Sequence, residues 1–573
     1  MSSRWVLREP SNEIVGGLSE SIGVSRLLAR CLANRGFADP GEALKFLDPR
    51  LKDLTDPFEL PGMADAVERI HQARLRKEAV VVFGDYDVDG ITSTALLHEV
   101  LTTLGLSCGH YLPHRLQEGY GLTWDGVENC LASHPAKLLI AVDCGSTATE
   151  VITRLKREKG VEVVVLDHHQ IADPAPQAAA LINPQLLPPE DPRRWLCSAA
   201  LAFKLAHALV KAGRAQDCPI SAKLDVRDYL DLVALGTIAD IMPLRGENRS
   251  FVTAGLSRLA TTRRLGLDAL KNVADVKGPP GVHTVAFQLA PRLNASGRLE
   301  SARTSLELLL TTKPEEAAAI AAELDAQNRD RQRIERSIFD AAHAQVRSGR
   351  GEDPGLVIVV GHQEWHPGVV GIVASRLVRE FCRPCFVLGG DSAAEWRGSG
   401  RSVEGFDLAA SLRECDGLLL RHGGHAAAAG LAIHPGNVGA LRDQLNTIGQ
   451  RILTPEMLTP RLSLDAEVAL REVDQSLVAD LARLQPFGFG NPQVQLVTRG
   501  VRLQMPVRRM GGDLQHARLS VTDGHRVLDA VYWNCGATWK PPDLFDIAFA
   551  PEINDFKGRS SVQLKLLDVR PAA

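Results

Sequence analysis

Three aspartates, Asp85, Asp87 and Asp89, stand at alternate positions in VVVFGDYDVDGITST (residues 80–94), directly behind an apolar run. In an extended chain alternate side chains share a face, so this spacing predicts three carboxylates pointing one way. Carboxylates crowded like this repel one another and ionise together only beside a cation. The competing reading is a solvated turn, because Asp and Gly are common turn formers. Three further polar groups follow: Asp143 in AVDCGST, Asp167-His168-His169 in VVVLDHHQ, and Asp240 in VALGTIADIMPL. A single strand-end Asp usually caps the next helix. Four strand-end clusters that combine carboxylates with imidazoles instead predict a shared site. Oxygen and nitrogen ligands without thiolate select Mn²⁺ or Mg²⁺, and the imidazole favours Mn²⁺. The ligands suffice for two ions, and such a pair, about 4 Å apart, activates a water and stabilises the leaving oxygen in phosphoester cleavage.

The elements that must position these groups follow from the apolar pattern. AVVVFGD, KLLIAVDCG and VEVVVLDHH read as strands, separated by helix-like TSTALLHEVLTTLG and TATEVITRLKREKG. This rhythm predicts βαβ units and a parallel sheet buried on both faces, with ligands outside the carboxyl ends of the strands. From Pro314 the texture changes to PEEAAAIAAELDAQNRDRQRIERSIFDAAHAQV, one long helix polar enough to bridge two domains. GRGEDPG breaks it, and a second α/β region runs from LVIVVG to about residue 452. The remainder (VQLVTRGVRLQMPV, ARLSVTDG, VLDAVYWN, SVQLKLLDV) predicts a small barrel of about five strands, with an OB-fold leading. Arg502, Arg508, Arg509, Arg518, Trp533 and Phe556 give it the charge and aromatic faces of single-strand binding, although Trp533 reads equally well as core.

The net charge of -4 neither favours nor excludes nucleic acid, since a basic groove can sit inside a neutral total. The opening MSSRWVLREP lacks the apolar core of a signal peptide, and no run is apolar enough to span a bilayer. Ten scattered cysteines suit a reducing compartment, and the one close pair, Cys382 and Cys385 in CRPC, reads as strand packing because no second pair completes a zinc site. The expected location is cytoplasmic.

The order DYDVDG, VDCG, DHH, GTIAD resembles the DHH phosphoesterase superfamily and, within it, the RecJ-type single-strand-specific 5′→3′ DNA exonucleases. The likeness continues through LPHRLQEGYGL, LAPRLNASGR, NRDRQRIE, WHPGVVGIVASRL, WRGSGRS, RHGGHAAAAG and PFGFGNP. One departure is His114, where the family more often has Asn. The resemblance implies a DHH-type parallel-sheet domain with an N-terminal helical segment (1–310), a connecting helix (311–350), a DHH-associated α/β domain (351–452) and an OB-like domain (453–573). It implies Asp87, Asp89, Asp143, His168 and Asp240 as ligands of two Mn²⁺ or Mg²⁺ ions, with Asp85 either a ligand or a carboxylate behind them. His169 is implied to face the scissile phosphate, with Asp167 orienting the imidazoles. Arg115, Arg292 and Arg298, placed in loops, together with Ser399, Arg401 and Ser402 of a GSGRS loop and His425, are implied to contact substrate phosphate. Also implied are a role in DNA repair and recombination, and a single-strand binding protein and a helicase as partners. The alternative is a DHH phosphodiesterase for short oligonucleotides or cyclic dinucleotides, against which the terminal barrel and extra length argue. The barrel is expected to raise affinity without building the active site, so that a chain ending near Pro455 keeps slow cleavage.

Overall fold

Val80–Gly84 and Leu138–Val142 are buried along their whole length, as strands covered on both faces must be. In the computed structural model, which describes residues 3–114, 118–299, 301–348, 354–390, 392, 394–556 and 558–572, they lie side by side in a wholly parallel sheet. Its order is Cys108–Tyr111, Val80–Gly84, Leu138–Val142, Glu162–Leu166, Ala180–Ile182. The chain runs from Val80–Gly84 outward to Cys108–Tyr111, then returns to pair on the other flank. The order therefore reverses between Val80–Gly84 and Leu138–Val142, and such a switch point opens a crevice at the carboxyl edge.

Contacts divide the chain into two units, Trp5–Ala290 with Leu462–Ala573, and Pro291–Arg461 with Met1–Arg4. The first unit thus holds both the parallel sheet and the terminal barrel. Barrel strands Leu496–Met510, His516–Thr522, Val527–Tyr532, Arg559–Pro571 and Phe545–Phe556 pair in that order, and the last closes back onto the first. The helices Asn12–Ile22, Arg26–Asn34 and Pro40–Leu47 precede the parallel sheet in the chain and bury apolar residues against the barrel. Val15, Leu18, Leu28, Leu32 and Phe46 share one core with Leu496, Leu519, Phe545 and Phe549 of the barrel. No local pattern announces this, because the partners lie more than 400 residues apart.

The second unit carries the long helix, Pro314–Ser348. Toward its C-terminal end, Ile338, Ala342 and Val346 are buried with Ile358, Val360, Val370 and Val373 of the following α/β region. That region has a mixed sheet in the order Leu419–Gly424, Ala428–Ile433, Trp396–Arg401, Cys385–Gly389, Ile358–His362. Cys382 ends the helix Val370–Phe381 and Cys385 begins a buried strand. The cysteines are all free thiols. Among the described residues no helix is long and apolar enough to cross a membrane.

Candidate active site

The triple-aspartate segment is not extended. Asp85 follows the strand Val80–Gly84, and Asp87 caps the helix Val88–Thr103, accepting the N–H of Asp89 at 2.9 Å and of Gly90 at 3.2 Å. The turn into the helix sends the carboxylates in two directions. Asp85 and Asp87 meet Asp143, whose backbone is left-handed (φ 62) beyond the end of Leu138–Val142. Asp89 turns instead toward the helix Ser198–Ala215 and accepts its first N–H groups, Ser198 at 2.7 Å and Ala199 at 2.9 Å. The positive end of that helix favours a carboxylate there.

Asp240 departs from expectation in another way. VALGTIAD reads as a strand, yet it closes the helix Leu230–Ala239, whose residues 230–238 are all buried. A short, mostly apolar run buried on every side shows no clear period to separate a buried strand from a buried helix. The helix end nevertheless delivers the carboxylate to the same point. His168 Nε2 lies 3.3 Å from Asp143 Oδ1, 3.4 Å from Asp240 Oδ2 and 3.9 Å from Asp89 Oδ2. Asp85, Asp87 and Asp143 form one group of donors, and Asp89, His168 and Asp240 form another. Asp143, with His168 and His169, links them.

The electrostatics of this cluster test its fitness for a cation. Burial, then the like charges of Asp87, Asp89, Asp85 and Asp240, push the Asp143 carboxyl well above its ordinary range. Burial, with Asp89 and Asp87, pushes Asp240 up to about 9. Burial also raises Asp89, against the pull of His168. Burial and then His169 lower His168, which keeps its imidazole neutral and its lone pair available. His168 Nε2 and Asp240 Oδ2 are buried with no hydrogen-bond partner among the described residues. Carboxylates that resist joint ionisation, next to a neutral imidazole with an orphaned nitrogen, match what a divalent cation relieves. The nearby Cys144 and Cys197 thiols are pushed far up, mainly by burial, so they offer no thiolate. The donor set fits Mn²⁺ or Mg²⁺.

Asp167 lies behind these groups. Its Oδ1 takes His169 Nδ1 at 2.7 Å and its Oδ2 takes the Ser146 N–H at 3.0 Å. Burial alone would lower the His169 pKa. The hydrogen bond and charge of Asp167, with Asp240 and Asp85, outweigh it and carry His169 up to about 9. Burial opposes ionisation of Asp167 too, but the same bond holds it below the usual carboxylate range. Sequence reasoning missed two contributors. The Tyr120 hydroxyl stands 3.2 Å from His169 Nε2, and Ser198 Oγ donates to Asp143 Oδ1 at 3.0 Å. Tyr120 was visible only as part of a motif, and Ser198 only as the start of an Ala-rich helix.

Comparison with known proteins bears on the whole chain. Residues 79–237 match the DHH family N-terminal domain, 353–450 the DHHA1 domain and 464–568 the RecJ OB domain. The single-stranded-DNA-specific exonuclease RecJ of Bacillus subtilis is 36% identical over 571 residues, covering 99% of this chain and 70% of that protein. The RecJ of Dickeya dadantii is 33% identical over 564 residues, covering 95% and 96%. The chain belongs to the RecJ family. The crystal structure of Thermus thermophilus RecJ in complex with Mn²⁺ superposes with a TM-score of 0.84 at 29% identity, covering 100% of this chain and 80% of that one. A Mg²⁺ complex of RecJ from the same organism gives 0.79 at 28% identity, covering 100% and 79%.

The other expected substrate residues of this RecJ-family chain fall in the second unit, except Arg115, which lies outside the described residues. Arg292 and Arg298 are helical, within Ala290–Leu299, and not in loops. Arg292 is paired with Asp325 of the long helix at 2.9 Å, so it has a structural partner already. Arg298 donates to the Gly368 carbonyl at 3.3 Å, in the turn before the helix Val370–Phe381. Gly398–Arg401 of GSGRS likewise form no loop but the end of the strand Trp396–Arg401, which Ser402 follows. Its glycines leave room for the opposite strand, since a Cβ on Gly400 would fall 2.4 Å from the Phe386 ring. On the other face Ser399 receives Arg401 Nη1 at 2.9 Å, and both lie close to Gly371 at the start of Val370–Phe381. Ser402 Oγ instead donates to the Phe406 carbonyl at 2.6 Å. His425 stands exposed in the turn of the hairpin Leu419–Gly424 and Ala428–Ile433. In the barrel, Arg509 is held by the Gly536 carbonyl at 2.8 Å and Arg518 by Asp529 at 2.7 Å. Arg502 and Trp533 are exposed; nothing is described of the Phe556 side chain.

Proposed function

We propose that this chain is a metal-dependent exonuclease that degrades single-stranded DNA from the 5′ end and releases mononucleotides. The observation that carries the reading is the pair of carboxylate groups joined through Asp143 and His168 at the switch point of the parallel sheet. Asp85, Asp87 and Asp143 would hold one ion; Asp89, His168 and Asp240, with Asp143, would hold a second. When bound, Mn²⁺ or Mg²⁺ supplies an activated water and neutralises charge on the leaving oxygen. Asp167 accepts the Nδ1–H and its charge holds His169 as the imidazolium, so Nε2 also carries a proton, which it can present to a phosphate oxygen. Tyr120 aligns the same ring from its Nε2 side. Ser399, Arg401 and Arg298 beside the first turn of Val370–Phe381 are donors suited to a terminal phosphate. The 5′ polarity, the role in repair and recombination, and the single-strand binding and helicase partners rest on family likeness; the cytoplasmic location rests on the sequence features above.

The second reading, a phosphodiesterase for short oligonucleotides or cyclic dinucleotides, leaves the barrel without a task. A single assay separates them: Mn²⁺-dependent hydrolysis of 5′-labelled single strands, duplexes and small phosphodiesters. Mononucleotide release from the single strand alone is expected; faster turnover of the small diesters would overturn the proposal.

A further inference from the structure

Beyond Asp240 the backbone is strained. The N–H of Met242 donates to the Thr237 carbonyl at 3.1 Å and that of Ile241 to the Ile238 carbonyl at 3.2 Å, the paired bonds of a Schellman cap. The residue forced left-handed by this cap is Ile241, with φ 56 and a side chain 66% exposed. Glycine or asparagine normally stands there, and a β-branched residue persists only where its surroundings fix the turn.

Those surroundings come from PFGFGNP, the segment that leads into the barrel. The Leu244 N–H donates to the Phe489 carbonyl at 2.8 Å, and Arg245 Nε donates to the Gly490 carbonyl at 2.9 Å. One turn on, the buried Arg249 donates to the Leu484 carbonyl at 3.0 Å and to the Phe46 carbonyl at 2.6 Å. The fit is close: a Cβ on Gly490, itself at φ 72, would lie 2.9 Å from Pro243 Cβ. The Phe489 ring is exposed, so what the residue contributes here is its carbonyl.

We propose that PFGFGNP and Arg245 are positioning elements for Asp240: they fix the strained turn and thereby set the affinity of the cation site that Asp240 completes. This rests on the metal reading above. The entry to the barrel is then part of the metal site's support, not only a tether.

The test measures Mn²⁺ binding by calorimetry, and thermal unfolding without metal, in the full-length parent, Arg245→Ala, the milder Arg245→Lys, and Gly490→Ala. Gly512→Ala serves as a control, because a Cβ there meets nothing within 4 Å. Arg245→Ala and Gly490→Ala should weaken the affected Mn²⁺ site about 10-fold, the scale of losing a partner behind a ligand, and the control should not. Ile241→Asn, which tolerates the left-handed turn, should restore part of that affinity in the Arg245→Ala background. Unchanged affinity in folded Arg245 variants, lost stability without lost affinity, or no rescue by Ile241→Asn would overturn the proposal. If Arg245→Ala does not fold, Arg245→Lys decides by the same criteria. A parent that binds no Mn²⁺ would refute the metal reading instead.

Discussion

Asp167→Asn changes one atom and should move the charge of a neighbouring residue. Asp167 accepts only from donors: His169 Nδ1 at 2.7 Å and the His169 N–H at 3.2 Å on one oxygen, and the Ser146 N–H at 3.0 Å on the other. An amide has one oxygen, so its NH₂ must face a donor on one side, which costs about 1–3 kcal/mol for a buried group. The charge is lost as well. His169, held up at about 9, then keeps burial, which lowers it, against only Asp240 and Asp85, and should fall to its ordinary 6.5 or below. A fall of about 2.5 units corresponds to about 3 kcal/mol, reduced to about 1–2 because the ring is over a third exposed. The sign follows from linkage. A raised histidine stabilises the fold fully below about pH 6.5, and that stability is lost as pH rises through about 9. The destabilisation by Asp167→Asn should therefore be larger at pH 6 than at pH 10. At pH 8 the protonated fraction of His169 should drop from about 90% to about 3%. Imidazole NMR titration of the metal-free chain, assigned with His169→Gln, and urea unfolding at both pH values provide the assay. A His169 midpoint unmoved by Asp167→Asn would refute the reasoning.

Asp143→Asn should raise the stability of the metal-free chain at pH 7, because the raised carboxyl destabilises the fold as pH climbs above its ordinary range. The same variant should lose Mn²⁺-induced stabilisation, as thermal unfolding with and without the ion would show. A chain ending near Pro455 should fail to fold, contrary to the expectation from sequence. Leu28, Leu32 and Phe46 lose the barrel that covers them, each burial being worth about 1.5–3 kcal/mol, and circular dichroism of the truncated chain checks this. Arg401→Ala should lower kcat/KM on 5′-phosphorylated strands by about 10–100-fold, the scale of a charge-assisted hydrogen bond, and far less on 5′-hydroxyl strands. An equal loss on both would mean that the end is sensed elsewhere.

Much of the site was legible because strand-end polar residues in a parallel sheet converge by topology. Asp85, Asp143 and His168 lie beyond neighbouring strand ends for that reason. Asp87 and Asp89 reached the cluster by a route the alternating spacing did not predict, since a helix begins between the sheet and Asp89. Asp240 was found at the right point on the wrong element, because an apolar helix buried all round looks like a strand. What stayed hidden depends on contacts distant in sequence: Arg292 against Asp325, the N-terminal helices inside the barrel's core, and Tyr120 on His169. GSGRS misled for a local reason, since glycine signals a loop even where it thins a strand for a neighbouring ring.

The central claim is that the buried acidic cluster holds two divalent ions and that these ions perform the cleavage. Mn²⁺ stoichiometry by calorimetry, measured on the same preparations used to follow mononucleotide release from a 5′-labelled single strand, tests it most directly. Two ions per chain are expected in the parent, with joint loss of tight binding and release in Asp143→Asn. Release that persists in Asp143→Asn, or a parent that cleaves without binding any ion, would contradict it.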